Sequence, residues 1–317
     1  MKILFNKNVL VLGASGQLGS ELQFHLGSIP LHVTYLRKSL WGKSFKNKRN
    51  CKFISLDLLK ANNESIKKLI LHADIIIHLA ADTSVQVTAQ NERNFLIPQL
   101  NLLNRILINL IGTKKQFIFS SSCSVYGLKH KKTIIDSHIP DPWTSYDLLK
   151  TYSDQMIQYY NKVYNVSCCS IRFSNIYGND SSLVVTKNRR ILNKFIAQMR
   201  HVNEVSVVGN GKFYRNYLHV TDAARMIIYL LKQKKFDQSI YLGCSKENIF
   251  FIDAVKLLVE MYEIKFNEKI KINKNLHINY VTDTRSYKLK PSQLFLKSFK
   301  YKFDMKKGFA ELLKGEI

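Results

Sequence analysis

Apolar segments alternate with amphipathic segments through the first half of the chain, and this alternation limits the possible folds more than any other feature. Apolar residues at a spacing of 3.6 predict helices over segments such as 17–26 and 64–71. Apolar, β-branched runs predict strands at 8–12, 32–36, 51–57, 74–80, 116–120 and 166–172. Strands that are apolar on both faces and separated by helices form parallel sheets covered by helices on both sides. The sequence therefore predicts an α/β fold of the Rossmann type, with a doubly wound parallel sheet.

The second half of the chain has a different rhythm. Beyond about residue 178, longer helices and irregular segments replace the alternation, and one helix is predicted at TDAARMIIYL, with Asp222 as its cap. The chain has 317 residues, 46% of them hydrophobic, which is enough for a large domain and a smaller lobe. We predict a Rossmann domain over residues 1–178 and a ligand-binding lobe over residues 179–317, partly interleaved with the first.

Composition disfavours a membrane-spanning protein and a metalloprotein. No apolar run approaches the roughly 20 residues that a membrane span needs. The five cysteines show no CxxC spacing and do not pair with histidines at the spacing of metal ligands. We therefore expect reduced thiols, a cytoplasmic protein and no metal site.

The net charge is strongly positive, because 48 Lys and Arg residues outnumber 23 Asp and Glu residues, which gives +25. Such a balance favours polyanionic partners, including nucleic acid and phosphorylated substrates. The basic residues are spread along the chain, and even the densest patch, at residues 37–49, is not continued as a stripe. We therefore do not expect nucleic acid to be the main partner.

A glycine-rich turn, GASGQLG, joins the first predicted strand to the first predicted helix. Glycines at this turn let a pyrophosphate approach the backbone N–H groups at the start of the helix. The pattern is weak alone, but its position between a strand and an amphipathic helix is the one that dinucleotide binding requires. The predicted cofactor contacts here are Gly13, Ser15, Gly16, Gln17, Leu18 and Gly19.

The end of the second predicted strand indicates which dinucleotide is bound. An acidic residue there would bind the ribose hydroxyls of NAD, whereas a basic residue accommodates the 2′-phosphate of NADP. The chain has Arg37 and Lys38 at this position and no carboxylate, which favours NADP(H) and leaves NAD(H) possible. Asp57 and Leu58, after the third predicted strand, are further cofactor candidates, although Asp57 could equally cap a helix.

A tyrosine and a lysine stand four residues apart in the segment SYDLLK. On a helix these positions share one face, so the Tyr146 hydroxyl and the Lys150 ammonium can face one pocket. A nearby ammonium favours the phenolate, and we expect it to lower the pKa of Tyr146 enough for proton transfer. The serines of FSSSCSVYG follow the fifth predicted strand, at the edge of the sheet where ligands bind in such folds.

Six motifs in a fixed order give the chain a resemblance to a known family. They are GASGQLG, IIIHLAA, FSSSCSVYG, SYDLLK, IRFSNIYG and GNGKFYRNYLHVTDAA, and they span roughly residues 8–245. The chain resembles the extended short-chain dehydrogenase/reductase superfamily, in particular the nucleotide-sugar epimerase/dehydratase family. The resemblance implies two domains that enclose one nicotinamide dinucleotide and one nucleotide-diphosphate sugar. It also implies a homodimer formed through a helix pair, for which QLNLLNRILINLI and the helix after Tyr146 are candidates.

The resemblance also assigns roles to single residues. Ser122 matches the position that hydrogen-bonds the reacting sugar oxygen, and Tyr146 matches the catalytic acid and base. Lys150 matches the lysine that lowers the pKa of this tyrosine and binds the nicotinamide ribose. Further matches are Leu79, Ala80 and Ala81 for the cofactor, and Thr83, Asn175 and Arg215 for the substrate.

The chain departs from the family pattern at two places. Where the 4,6-dehydratases have acidic groups after the catalytic Ser or Thr, this chain has Cys123 and Ser124, which disfavours dehydration unless a carboxylate such as Asp82 replaces them. Asn216 stands where the family usually has aspartate. Arg37 and Lys38, in the place where an epimerase of this family typically has an acidic residue, favour an NADPH-dependent 4-ketoreductase acting on C4 of a nucleotide-diphosphate hexose. The alternatives are an NAD-dependent 4-epimerase and a non-catalytic dinucleotide sensor or nucleic-acid binder.

Overall fold

A computed structural model describes residues 7–27, 29, 31–35, 51–81, 92–128, 130, 132–178, 191–233, 235–275 and 285–314. The strands are β1 (Val9–Leu12), β2 (Leu31–Tyr35), β3 (Cys51–Ser55), β4 (Ile75–His78), β5 (Gln116–Ser122), β6 (Cys168–Phe173), β7 (Asn175–Tyr177), β8 (Glu204–Val208), β9 (Tyr214–Arg215), β10 (Tyr217–His219), β11 (Ile240–Gly243), β12 (Ile249–Phe250) and β13 (Lys271–Asn275). The helices are α1 (Gln17–Leu26), α2 (Asn63–Leu71), α3 (Glu92–Ile108), α4 (Ser145–Tyr164), α5 (Ile191–Val202), α6 (Val220–Leu231), α7 (Phe251–Phe266), α8 (Gln293–Ser298) and α9 (Met305–Lys314). A 3-10 turn, Cys123–Tyr126, follows β5.

Within the described residues, seven strands form one sheet in the order β11-β6-β5-β4-β1-β2-β3, and all neighbours run parallel. Successive side chains of β1 point to opposite faces: Val9 and Val11 pack with α1 and α6, whereas Leu10 and Leu12 pack with α2, α3 and α4. Both faces are thus covered by helices, which explains why the strands are apolar throughout. The predicted Rossmann-type fold is confirmed.

The predicted strands and helices agree with the observed ones to within about two residues at most ends. The third strand, predicted over 51–57, ends at Ser55, so Asp57 lies in the loop that follows. Strand β11 and helix α6, which both come from the region predicted as the second lobe, belong to the large sheet and its covering layer. A separate core, which includes Phe195, Leu258 and Phe309, joins α5, α7 and α9.

The predicted cap of α6 is wrong. The N-cap of α6 is His219, three residues before Asp222, and its ring accepts a hydrogen bond from the Thr221 amide. Asp222 is fully buried, and its carboxylate accepts hydrogen bonds from the amides of Lys302 and Phe303. The carboxylate therefore fastens the segment before α9 to α6, a contact between residues 80 positions apart that a local pattern could not reveal.

Asn216, one of the departures from the family pattern, lies between β9 and β10 and is 2% exposed. Its side-chain amide donates to the carbonyl oxygens of Ser245 (3.0 Å) and Glu247 (2.8 Å). Its side-chain oxygen accepts from the Ser245 amide at 3.0 Å. Only a side chain that both donates and accepts can make this set of bonds, so an amide suits the site better than a carboxylate.

We predict that Asn216→Asp lowers the free energy of unfolding by about 2 kcal/mol, because a buried carboxylate would face two carbonyl oxygens with no hydrogen to donate. Chemical unfolding followed by fluorescence measures the change. Asn210→Asp is the matched control, because Asn210 is exposed and its side-chain oxygen accepts from the Lys212 amide, which aspartate can also do. Equal stability of the two variants would contradict the prediction.

Candidate active site

The start of helix α4 fixes the position of the tyrosine–lysine pair. The hydroxyl of Thr144 accepts from the Asp147 amide, and the Asp147 carboxylate accepts from the Thr144 amide, both at 3.1 Å. This capping box starts the helix at Ser145. Tyr146 and Lys150 therefore lie one turn apart on the same face, as the sequence predicted.

Lys150 is 3% exposed and lies against the end of β5. Its ammonium donates to the carbonyl oxygen of Ser120 at 2.7 Å and lies 4.4 Å from the ring centroid of Phe119. The same nitrogen is 5.6 Å from the ring centroid of Tyr146. Burial lowers the pKa of Lys150 to about 8, although Asp154 acts in the opposite direction. The side chain is thus charged at neutral pH and loses its charge within the range of enzyme assays.

The pKa of Tyr146 differs from the sequence-based expectation. Burial raises this pKa to about 12, and the charge of Asp147 adds to the increase. A hydrogen bond with Ser122 and the charge of Arg285 lower this pKa, but by less than burial raises it. The expected decrease caused by Lys150 is therefore wrong for this state of the protein, because desolvation of the phenolate outweighs the nearby cations. At neutral pH the phenol keeps its proton and is a proton donor.

Ser122 ends β5 and stands beside this phenol. Its hydroxyl accepts from the Ser124 amide at 3.1 Å, which caps the 3-10 turn, and also bonds Tyr146. The carboxyl end of β5 and the first turn of α4 thus bring Ser122, Tyr146 and Lys150 together. This is the predicted catalytic set, and its geometry allows one sugar oxygen to contact a serine hydroxyl and a tyrosine hydroxyl at once.

A cavity of about 190 Å³ opens beside these residues. Among the predicted residues it contains Ser122, Tyr146, Asn175 and Arg215; the predicted Thr83 lies outside the described residues. The other lining residues are Cys123, Ser124, Thr144, Asp147, Ser174, Tyr214, Asn216, Arg285, Tyr287 and Leu289.

Two arginines give the cavity a positive wall. Arg215 donates from Nη1 to the Tyr214 carbonyl at 3.1 Å and to the carbonyl of Arg285. The side chain of Arg285 forms an ion pair with Asp147 at 3.3 Å, and the Asp147 side chain is 1% exposed. Sequence reasoning missed Arg285, because its surroundings, DTRSYKLK, carry no pattern that separates it from the other basic residues. Guanidinium groups are suited to phosphate oxygens, which they bind in a bidentate manner.

Two serine hydroxyls in the lining have no hydrogen-bond partner among the described residues. Ser124 is 7% exposed and Ser174 is 6% exposed, and neither Oγ atom reaches a described acceptor or donor. A buried polar group without a partner costs about 1–3 kcal/mol. A ligand that is rich in hydroxyl groups would satisfy both serines.

The glycine-rich turn between β1 and α1 is tightly packed against the end of β4. Gly13 has a φ of +82°, and a Cβ on it would lie 2.5 Å from the Ala80 nitrogen, so only glycine fits. Beside it the Leu79 amide donates to the Leu12 carbonyl at 2.9 Å, which joins the ends of β1 and β4. Gly16 is exposed at the start of α1 and has no side chain to cover the helix amides. These features fit a dinucleotide whose pyrophosphate lies at the start of the helix.

The remaining members of the predicted turn serve in different ways. Gly19 packs on Ala14, because a Cβ on it would lie 2.7 Å from that backbone. The side chain of Gln17 is 4% exposed and donates to the Gly178 carbonyl at 2.7 Å, so it holds β7 rather than facing solvent. Ser15 and Leu18 are half-buried beside the turn, and Ala81 is half-buried after β4.

The residues predicted to contact the adenosine half have other partners or lie outside the described part of the chain. The Asp57 carboxylate accepts from the amides of Leu59 (3.1 Å) and Lys60 (3.4 Å), which is the capping alternative, although it caps a turn and not a helix. Leu58 belongs to the core beneath α2 and α3. Arg37 and Lys38 lie outside the described residues.

Neither a metal site nor a membrane helix is found in the described part of the chain. No group of three His, Cys, Asp or Glu side chains there could hold a metal ion. No helix there is long and apolar enough to cross a membrane. All five cysteines are free thiols.

Comparisons with known proteins agree with this geometry. The sequence model of the NAD dependent epimerase/dehydratase family matches residues 9–243. The human dTDP-D-glucose 4,6-dehydratase is 25% identical over 290 residues, which cover 88% of this chain and 80% of that protein. A putative UDP-glucose 4-epimerase of Methanocaldococcus jannaschii is 24% identical over 246 residues, which cover 75% of this chain and 77% of that protein.

Solved structures share the fold over nearly the whole chain. UDP-glucuronic acid 4-epimerase from Bacillus cereus, in complex with UDP-glucuronic acid and NAD, gives a TM-score of 0.81 at 18% identity, covering 97% of this chain and 98% of that one. UDP-glucose 4-epimerase from Thermotoga maritima, with UDP-glucose, gives a TM-score of 0.79 at 22% identity, covering 98% of both chains.

We predict that Tyr146→Phe lowers kcat at least 1,000-fold, on the order expected for loss of a general acid and base, and leaves cofactor affinity within about twofold. The ring and its packing remain, and only the transferable proton is lost. Single-turnover kinetics and calorimetric titration with the cofactor measure the two quantities. Tyr152→Phe, a half-exposed tyrosine on the same helix, is the matched control and should keep kcat. Near-normal kcat in Tyr146→Phe would disprove the assignment.

Proposed function

The chain belongs to the NAD dependent epimerase/dehydratase family, and on that premise we propose that it oxidises and reduces C4 of a nucleotide-diphosphate hexose. The observation that carries this proposal is the Ser122–Tyr146 pair, which opens into the same cavity as Arg215 and Arg285. The pair suits a reacting hydroxyl or carbonyl oxygen, and the arginines suit a diphosphate. The unsatisfied hydroxyls of Ser124 and Ser174 favour a polyhydroxylated group, such as a sugar, between them.

The protein side of the reaction is proton transfer at the C4 oxygen. Tyr146 donates its proton to this oxygen when the carbonyl is reduced and accepts it when the hydroxyl is oxidised, while Ser122 holds the oxygen by a hydrogen bond. The bound dinucleotide would donate or accept the hydride at C4. Because burial keeps the pKa of Tyr146 near 12 in this structure, the oxidising direction requires additional positive charge near the phenol. The Lys150 ammonium, 5.6 Å from the centroid of the tyrosine ring, is already present in this structure and does not by itself bring the pKa down.

Dehydration is the least supported of the family's reactions for this chain. It needs a group that removes a proton from a sugar carbon, and Cys123 and Ser124 are poor candidates at neutral pH. The carboxylate of Asp147 lines the cavity, but its oxygens bind Arg285 and the Thr144 amide. We propose 4-epimerisation as the first reaction to test, since it needs only the groups above. The second candidate is reduction of a 4-keto sugar, which Arg37 and Lys38 favour through their charge.

The two candidate reactions differ in the cofactor that they would use. The NAD in the Bacillus cereus neighbour and the description of the family support NAD(H). The pair Arg37 and Lys38 favours NADP(H), because cations accommodate the 2′-phosphate. An Arg37→Ala, Lys38→Ala variant separates the two: it should weaken NADPH affinity at least tenfold and leave NADH affinity nearly unchanged if the cations contact the 2′-phosphate.

The decisive assay offers both reactions to the purified protein. UDP-glucose and UDP-glucuronic acid, incubated without added reductant, should give their C4 epimers by NMR, and the Tyr146→Phe variant should give none. In parallel, 4-keto-6-deoxy nucleotide sugars are supplied with NADH or NADPH, and cofactor oxidation is followed by absorbance. Stoichiometric cofactor oxidation without epimer formation would replace the epimerase proposal with the ketoreductase one. Absence of both activities across UDP-, dTDP-, GDP- and CDP-hexoses would contradict the proposed function.

We also propose that two copies of the chain associate through α3 and α4. These helices pack on each other, and Tyr160 of α4 donates to Asn104 of α3 at 2.7 Å. Their outer face is apolar: Tyr159 and Val163 are 50% and 54% exposed, and Ile108 is 54% exposed. Large apolar side chains spaced along adjoining helices form a self-complementary surface that a two-fold dimer would bury.

We predict that Tyr159→Glu combined with Val163→Glu converts the dimer into a monomer, because the new charges would be desolvated in the interface. Light scattering after gel filtration measures the mass. Ile264→Glu is the control, because Ile264 is 77% exposed on α7, which packs in a different core from α3 and α4, and should leave the mass unchanged. A wild-type protein that is monomeric at micromolar concentration would disprove the proposed interface.

A further inference from the structure

One turn beyond Lys150, helix α4 carries a further ionisable residue, Asp154. Tyr146, Lys150 and Asp154 are spaced at four-residue intervals, so they share one face of the helix. The side chain of Asp154 is 1% exposed. A carboxylate this deeply buried is costly unless it is paired and hydrogen-bonded.

Two residues of β6 hold the Asp154 carboxylate. Arg172 donates from Nε to Oδ2 at 2.7 Å, and Ser170 donates to Oδ1 at 2.5 Å. Arg172 is itself fixed, because its Nη1 donates to the Tyr126 hydroxyl (2.9 Å) and to the Asp136 carbonyl (3.3 Å). The carboxylate therefore has one orientation, set by the neighbouring strand and not by solvent.

The groups around the Lys150 ammonium are otherwise neutral or unfavourable to its charge. The side chain donates to the Ser120 carbonyl, and the phenol of Tyr146 is neutral at assay pH. His78 of β4 is also near, but burial and the charge of Lys150 lower its pKa to about 3, so it is neutral too. Among the described residues, Asp154 is the group whose charge favours the protonated ammonium.

We propose that Asp154, held by Arg172 and Ser170, is a positioning residue that keeps the Lys150 ammonium charged and available to the cofactor. The inference rests on the proposed function, because it assumes that Lys150 contacts the nicotinamide ribose. A purely structural ion pair between α4 and β6 would support folding without any effect on the ionisation of Lys150. The two roles differ in the pH dependence of cofactor binding.

The test is the pH dependence of NADH affinity, measured by calorimetry between about pH 6 and pH 9 on the full chain. Lys150 is charged below its pKa, so wild-type affinity should be constant at low pH and decline above about pH 8. In Asp154→Asn the decline should begin about one pH unit or more lower, the size expected when a nearby opposite charge is removed. At pH 7.5 this appears as a loss of affinity of several-fold. Asp154→Glu, which keeps the charge, should restore most of the wild-type profile.

Controls separate this effect from a loss of packing. Asp222→Asn removes another fully buried carboxylate, far along the chain on α6, and should lower stability without moving the pH at which affinity declines. If Asp154→Asn fails to fold with Arg172 unpaired, Asp154→Leu with Arg172→Met removes both charges and leaves neither alone. This double variant should fold, and its affinity should also decline at lower pH than that of the wild type.

The Lys150→Met variant distinguishes a failure of the proposed function from a failure of the role proposed for Asp154. If Lys150→Met leaves NADH affinity unchanged, the role assumed for Lys150 is wrong and the proposed function loses a member of its catalytic set. If Lys150→Met weakens binding but every Asp154 variant keeps the wild-type pH profile, Asp154 is only structural and this inference is overturned.

Discussion

Burial of both faces of the parallel sheet is the constraint on which the rest of the structure depends. Strands β1, β4 and β6 are buried along their whole length, β5 is buried at Phe117–Phe119, and helices cover both faces of the sheet. Such a sheet leaves polar groups little place except its edges and strand ends. At the carboxyl ends of these strands lie the glycine turn, the segment after β4, Ser122 and the loop after β6. The site is therefore a consequence of how the core is packed.

The same burial sets the chemistry of the site. Desolvation raises the pKa of Tyr146 and lowers that of Lys150, so both groups move towards their neutral forms. The opposing effects are local: Ser122 and Arg285 act on the phenol, and Asp154 acts on the ammonium. In the role proposed for it, the buried Asp154 carboxylate on the next turn of α4 offsets part of the desolvation of Lys150. The charges that oppose desolvation are held in place by β6 and by the cavity wall.

Local sequence patterns predicted most strands and helices of the first half of the chain, because each of them depends on residues that are close together in sequence. The helix at 17–26 and the apolar strands follow from periodicity alone, and Gly13 follows from the sharp turn that it must make. Other predictions failed where distant segments decide. His219, and not Asp222, caps α6, because the buried Asp222 carboxylate accepts hydrogen bonds from the amides of Lys302 and Phe303. Arg285 was missed because nothing near it in sequence indicates that it pairs with Asp147.

The sequence by itself determined the class of fold, the turn that accepts a dinucleotide, and the Tyr146–Lys150 spacing, because each depends on neighbours within a few residues. Only the tertiary structure decided how these groups ionise and what surrounds them. Burial of Tyr146 reversed the expected direction of its pKa shift. Of the two cavity arginines, the sequence indicated Arg215 but not Arg285, which lies 138 positions from its partner Asp147. The physical reason is that desolvation and charge act through space, whereas sequence patterns report only what is close along the chain.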